Sequence, residues 1–319
     1  MKKTEKTTQG KEYVRHDFES WFEFVNYVNT APRWTGSGVP GIRTASSRKN
    51  NANAIPDGGL EGNNYWNGTV SWDEAVRLAK TGWTHGASSI KTNLRDLRIL
   101  GKKPVKRTTM SRVGPGTLDM GRYMSGHPAP YRIQKETEQM TDAEIRKGVV
   151  HLCINVSQSS GISAQRRFQI GALSMALIDL LERNGRRVEI TLAIGTCENP
   201  GDMEAHRDDY MKRLGSSSIH ETFITIKKAD SPVNMSILAF AMCNAATLRR
   251  FGFALDETLN EAQRRVFETG SSYGYPLGQA APEGSIVIGG IGNRALNDEE
   301  SRNKWLQQQL FAQGIEWEA

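Results

Sequence analysis

From residue 149 onward, short apolar runs of β type alternate with stretches whose apolar residues recur at helical spacing, and this alternation restricts the fold more than any other feature of the chain. The β-type runs fall at 149–156, 188–194, 222–226 and 285–288. Between the first two lies a long helical pattern carrying Ala172, Leu173, Ala176, Leu177, Leu180 and Leu181, closed by Asn184-Gly185, a pair suited to ending a helix. Further helical patterns cover 202–214, 235–250, 257–267 and 298–313, and 314–317 reads as a last short strand. Apolar strands separated by helices predict a mainly parallel, doubly wound α/β sheet covered on both faces.

The first half of the chain has a different texture. Residues 1–16 are polar and read as a frayed end, after which Phe18, Trp21, Phe22, Val25 and Val28 predict an amphipathic helix capped by Asp17. Residues 35–68 are rich in Gly, Asn and Ser without a sustained period. Ser71 and Glu74 form a capping box that opens a second helix with Trp72, Ala75, Val76 and Ala79 on its apolar face, and a third helix is expected over 87–100. A second box, Thr141 and Glu144, precedes the α/β half. Five of the seven tryptophans (21, 34, 66, 72 and 83) lie here and suggest a small helical core built on large aromatics. The expected organisation is therefore a smaller, mostly helical, loop-rich and basic region over 1–147, followed by an α/β domain over 148–319.

Composition narrows the functional classes. No apolar run approaches the roughly 18 to 20 residues of a membrane span, and the N-terminus lacks the apolar stretch of a signal peptide, so a cytoplasmic location is expected, in a host cell or a virion. Cys153, Cys197 and Cys243 are odd in number and widely spaced, and read as reduced core residues. The formal charge of +6 is unevenly spread, with eleven Lys and Arg against two acids between Lys91 and Lys135. Within that segment Lys102, Lys103, Lys106, Arg107, Arg112, Arg122 and Arg132, interleaved with Tyr123 and Tyr131, combine phosphate-neutralising charge with stacking surfaces and are the candidate nucleic-acid contacts. A solvated linker kept soluble by its lysines accounts for the same residues.

In an open parallel sheet ligands bind beyond the carboxyl ends of the strands, which directs attention to the loop after the first β run. It reads Asn155-Val156-Ser157-Gln158-Ser159. Together with the helix, the Gly185-Arg186-Arg187-Val188-Glu189-Ile190 turn into the next run, and the final helix before Gly314-Ile315, this pattern resembles a von Willebrand factor A (vWA) domain over about 149–317. That family carries Asp-x-Ser-x-Ser in this loop, with a Thr and a second Asp from later loops, around a divalent cation that takes a partner carboxylate. Here Ser157 and Ser159 match, Asn155 replaces the first Asp, and Ile288-Gly289-Gly290 stands where the second acid belongs. The resemblance implies Asn155, Ser157, Ser159 and Asp230 as a degenerate metal set, with Ser231 and Asn234 in the same later loop. Any Mg²⁺ bound by hydroxyls and an amide would be weak, since this hard cation normally takes one or two carboxylates. The resemblance also implies protein recognition through Ser157, Ser159, Arg166 and Asn234. Through its overall texture, including Ser71-Trp72-Asp73-Glu74-Ala75 and Gly121-Arg122-Tyr123-Met124-Ser125-Gly126-His127-Pro128, the whole chain further resembles a group of bacteriophage and mobile-element proteins, which suggests a viral setting without a reaction.

Tests for catalysis return nothing: there is no P-loop, no Gly-x-Ser-x-Gly elbow, and no histidine pair at metal-ligand spacing. His151, inside a β run, reads as a hydrogen-bonded core histidine. No residue is assigned a catalytic role. The expected function is a non-enzymatic binding or adaptor protein, the competing one a nucleic-acid-binding protein for which the α/β domain is scaffold.

Overall fold

A computed structural model describes residues 1–8, 10–33, 66–96, 109–111, 117–129, 131–133, 149–159, 162–183, 186–198, 218–264, 274–277, 285–288 and 298–311. It divides into a larger unit, Met1–Leu100 with Val150–Ala319, and a smaller one, Gly101–Val149. The boundary expected at 147 is thus replaced by an insertion, because the first hundred residues belong to the same unit as the α/β half.

The reason begins at the N-terminus. Residues expected to fray form an antiparallel hairpin, β1 (Lys2–Thr8) and β2 (Lys11–Phe18), whose turn uses Gly10 at φ 75°, a conformation glycine adopts without penalty. Along β2, Val14, His16 and Phe18 are buried while Tyr13, Arg15 and Asp17 are only half-buried, the period of two that a strand requires. Helix α1 (Trp21–Thr30) therefore starts later than the apolar spacing suggests. Ser20, not Asp17, caps it by accepting the Glu23 N–H, and Phe24 takes the buried place expected of Phe22.

Helix α2 (Trp72–Thr81) opens with the predicted box: Ser71 Oγ accepts the Glu74 N–H and Glu74 Oε2 accepts the Val70 N–H. Gly82, at φ 93°, redirects the chain into α3 (Thr84–Asp96). The smaller unit holds β3 (Thr109–Ser111), β4 (Thr117–Leu118), α4 (Met120–Met124) and β5 (Tyr131–Ile133), with β5 central in a three-stranded antiparallel sheet.

Next come β6 (Val149–Asn155), α5 (Ala164–Arg183), β7 (Arg187–Cys197) and β8 (Ile219–Lys227), each overlapping an expected element. The helical pattern from 235 is broken. Helix α6 (Met235–Cys243) ends where Asn244 leaves helical geometry, a π-helical turn spans Thr247–Gly252, and α7 (Phe253–Asp256) follows. The chain continues through α8 (Glu261–Arg264), β9 (Tyr275–Pro276), β10 (Ile286–Ile288) and α9 (Glu299–Phe311). The helix expected at 202–214, the capping box at Thr141 and the possible strand at 314–317 lie outside the described residues.

The described strands of the larger unit form a seven-stranded sheet ordered β1-β2-β8-β7-β6-β10, with β9 pairing β7. It is α/β as expected, but mixed instead of mainly parallel. β10 runs parallel to β6 and β2 parallel to β8, while β8 is antiparallel to β7 and β1 to β2. Inserting β2 beside β8 makes the N-terminal hairpin part of the sheet. Its helices then share the main core: Trp21 packs 6.2 Å from Phe240 and Trp72 5.3 Å from Phe251, ring centre to ring centre, and Trp21 Nε1 donates to the Ala79 carbonyl. Trp21, Trp72 and Trp83 belong to one core with the α/β half, not to a separate helical one, and Trp34 lies outside the described residues. Close approach of α5 and α6 depends on Gly171, where an added Cβ would lie 2.5 Å from both Cys243 Sγ and the Met242 carbonyl. Among the described residues no helix is long and apolar enough to cross a membrane.

Candidate functional site

β6 lies inside the sheet, and the chain leaves it toward β7 on one side while β10 occupies the other. Its carboxyl end is thus the point where the sheet order diverges, the usual position of a ligand crevice in α/β sheets. The loop expected to carry the site sits there, with the Val156 N–H donating to the Ala193 carbonyl of β7 at 2.9 Å.

Within this loop the motif residues brace the fold. Asn155 is buried; its Nδ2 donates to the Leu277 carbonyl at 2.7 Å and its Oδ1 accepts the Ser157 N–H at 2.8 Å. Ser157 Oγ accepts the Gly195 N–H at 2.7 Å, tying the loop to β7. Ser159 is exposed, and Ser163 caps α5 by accepting the Arg166 N–H at 3.1 Å. Arg166 is half-buried on the first turn, reaching Gln169.

The later loop does not join them. In the β7–β8 register Cys197 faces Ile219 and Ile190 faces Lys227, so antiparallel β8 delivers Asp230, Ser231 and Asn234 to the opposite end of the sheet. Five residues of strand, on the order of 17 Å, separate the level of Gly195 from that of Ile190. Asn155, Ser157 and Ser159 therefore share a loop, but Asp230 cannot complete a metal site with them. Asn234 instead caps α6, its Oδ1 accepting the Ile237 N–H at 3.2 Å. Among the described residues no cluster of three or more His, Cys, Asp or Glu could hold a metal ion.

What the sequence reading missed around the loop is positive charge from the core. Arg167, 2% exposed, donates from Nη1 to the Val156 carbonyl at 3.1 Å. Arg249, 3% exposed, donates to the Trp66 and Ile162 carbonyls and lies over the Trp66 ring at 4.4 Å. Burial pushes both guanidiniums down to about 10. Arg250, lowered by burial with Glu74 opposing, donates to Thr69 Oγ1 and the Thr69 carbonyl, each at 2.7 Å. A cavity of about 370 Å³ borders the first turns of α5, with Thr69, Glu74, Trp83, Phe168, Cys243 and Asn244 among its walls. In the sequence the one local hint was Arg166-Arg167 just past the serine loop; Arg249 carries no such signal.

A second polar cluster joins β2 to β8 at the same end of the sheet, where His220 pairs with Thr196 of β7, next to the Gly195 that Ser157 holds. His16 Nδ1 of β2 lies 2.9 Å from His220 Nε2 of β8, and His220 Nδ1 lies 2.7 Å from Asp256 Oδ1 at the end of α7, all three buried. Burial drives both imidazoles down to about 3 and raises the Asp256 carboxyl well above its ordinary range. The hydrogen-bonded core histidines are thus 16 and 220, whereas His151 is exposed, 3.3 Å from Glu189. The three cysteines are buried and unbridged, and burial pushes the Cys153 and Cys243 thiols up to about 12.

Of the candidate nucleic-acid contacts, Lys102, Lys103, Lys106, Arg107 and Arg112 lie outside the described residues. Arg132 sits in β5, paired with Met110 and Thr117, and Arg122 in α4 beside exposed Met120, Tyr123 and Met124. No curated protein and no solved structure was found to match this chain. The family described as Domain of unknown function (DUF7192) matches residues 3–316, from the first hairpin to beyond the last described helix, and the chain belongs to it.

Proposed function

We propose that the protein is a non-enzymatic, vWA-like binding or adaptor protein of a phage or mobile element, which contacts a protein partner through the loop 157–163 at the carboxyl end of β6. The observation that carries this reading is the placement of an exposed Ser159 and half-buried Arg166 at the divergence point of the sheet, on a loop pinned at its base by Asn155 and Ser157. In this reading the loop works without a divalent cation, because Asn155 and Ser157 already have hydrogen-bond partners and buried Arg167 and Arg249 repel a second cation nearby. Asn234 and Asp230, at the far end of the sheet, are not part of this face.

A second reading, nucleic-acid binding by the basic segment, draws support from Arg122 and the exposed Tyr123 on α4. One experiment separates the two. A photo-crosslinking residue is placed singly at Ser159, Asp230 or Tyr123 in the full chain, in cells that carry the element. A discrete protein adduct from position 159, absent from 230 and unchanged by EDTA, is the expected result. Adducts of equal yield from 159 and 230 would sink the partner reading, and nucleic-acid adducts from 123 alone would favour the second.

A further inference from the structure

Two buried guanidiniums with no acidic partner among the described residues are the feature of the larger unit that protein recognition by Ser159 leaves unexplained. Arg167 has one hydrogen bond, from Nη1, while its Nε and Nη2 are buried without a partner. Among the described residues Arg249 donates to two neutral carbonyls, those of Trp66 and Ile162, and lies over the Trp66 ring. The two repel each other electrostatically, and among the described residues the group that favours the charge on Arg167 is the Cys243 thiol, whose own ionisation burial opposes. Burying one unpaired charge is costly and burying two of like sign more so, and a fold retains such an arrangement when something else supplies the opposite charge.

The unpaired atoms define the shape of what is missing. Nε and Nη2 are the two donors on one edge of the guanidinium plane, and together they present parallel N–H groups to a carboxylate or phosphate. Nη1 is held by the Val156 carbonyl at the foot of the serine loop, which places the guanidinium beside the end of β6 while its backbone stands in the first turn of α5. Helix α5 is 20 residues long and adds the positive end of its dipole to the same place. The cavity of about 370 Å³ touches this region through Ala164, Gln165 and Phe168 and shares Cys243 with the surroundings of Arg167. Glu74, the acid on its wall, accepts the Val70 N–H and faces Arg250.

We propose that the crevice between the carboxyl end of β6 and the first turns of α5 binds an oxyanion, a phosphate or a carboxylate group, in a bidentate pair with Arg167 Nε and Nη2 and with Arg249 as the second cation. The inference deepens the strand-end reading above and rests on it, but its test reads anion binding without a protein partner, so either can fail alone.

The full chain is melted at matched ionic strength in chloride, acetate and inorganic phosphate. The expected result is a concentration-dependent rise in Tm over chloride, roughly 5 °C near a hundredfold Kd, in phosphate, in acetate or in both, which also identifies the anion class. In Arg167→Met the rise disappears, while the variant in chloride melts no lower than the parent because a buried unpaired charge has been replaced by a thioether chain. Equal Tm in all three salts, or a rise that Arg167→Met retains, overturns the proposal. If that variant does not fold, NMR line broadening of the anion that raised Tm, phosphorus for phosphate or carbon for acetate, decides with the parent protein and with Arg249→Lys: broadening weakened at least tenfold in the variant supports the site, and equal or absent broadening overturns it.

Discussion

Replacing His220 by Leu is expected to destabilise the protein by about 2–6 kcal/mol, at about 1–3 kcal/mol for each of two buried groups left unsatisfied, against the roughly 5–15 kcal/mol that holds most domains folded. His220 stands between two buried groups, His16 on β2 and Asp256 on α7, and meets both at hydrogen-bond distance. Leucine fills much of the volume but takes a hydrogen-bond partner from each, so a carboxyl and an imidazole lose theirs in a place water does not reach. Urea denaturation of the variant measures the loss, and a value below about 1 kcal/mol would show that the cluster does not hold the hairpin to β8.

The same cluster gives the protein an acid limb. His16 and His220 titrate near 3 in the folded chain against an ordinary 6.5, so the unfolded state binds more protons between those values and stability falls as pH drops through that window. Asp256 works the other way, since its raised carboxyl keeps its proton when folded and stability is lost as pH rises above its ordinary 3.8. Between pH 6.5 and 4 two histidines oppose one aspartate, and the net slope is a loss on acidification, up to about 1.4 kcal/mol per pH unit. Urea midpoints from pH 4 to 8 should show this limb, and His220→Leu should flatten it.

A chain beginning at residue 148 is expected not to fold as a monomer. Trp21, Phe24, Val25 and Val28, each 2% exposed or less, would be missing from the core, and at about 1.5–3 kcal/mol per large apolar side chain their loss, roughly 6–12 kcal/mol, rivals the stability of an ordinary domain. The edge of β8 from Ile219 to Ile224, now paired with β2, would be open to other chains. Arg249 and Arg250 would lose Trp66 and Thr69. Size-exclusion chromatography and circular dichroism of the 148–319 fragment check this. A monomeric fragment with a cooperative melt would contradict it, whereas co-expression with residues 1–100 should restore solubility.

Some of the fold was legible because its signals are local. The Ser71 box needs only residues 70–74, and the apolar runs of β6, α5 and β7 are periodic within their own length. The serine loop was found for the same reason, being the segment between a strand and the helix that follows it. Strand β1 was not, since Lys-Lys-Thr-Glu-Lys-Thr-Thr has no apolar alternation and becomes a strand only by pairing with β2.

The sequence by itself determined the kinds of elements in the second half, the position of the strand-end loop and the concentration of basic charge between Lys91 and Lys135. Tertiary structure alone decided that Asp230 lies at the opposite end of the sheet from Ser157, that His16 meets His220 across 204 residues of chain, and that Arg167 and Arg249 are buried near enough to repel each other. A burial period records which face of a segment meets the core but is the same whichever way the strand runs. The direction of β8, and every convergence that depends on it, is set by its pairing with β2 and β7 in the assembled sheet.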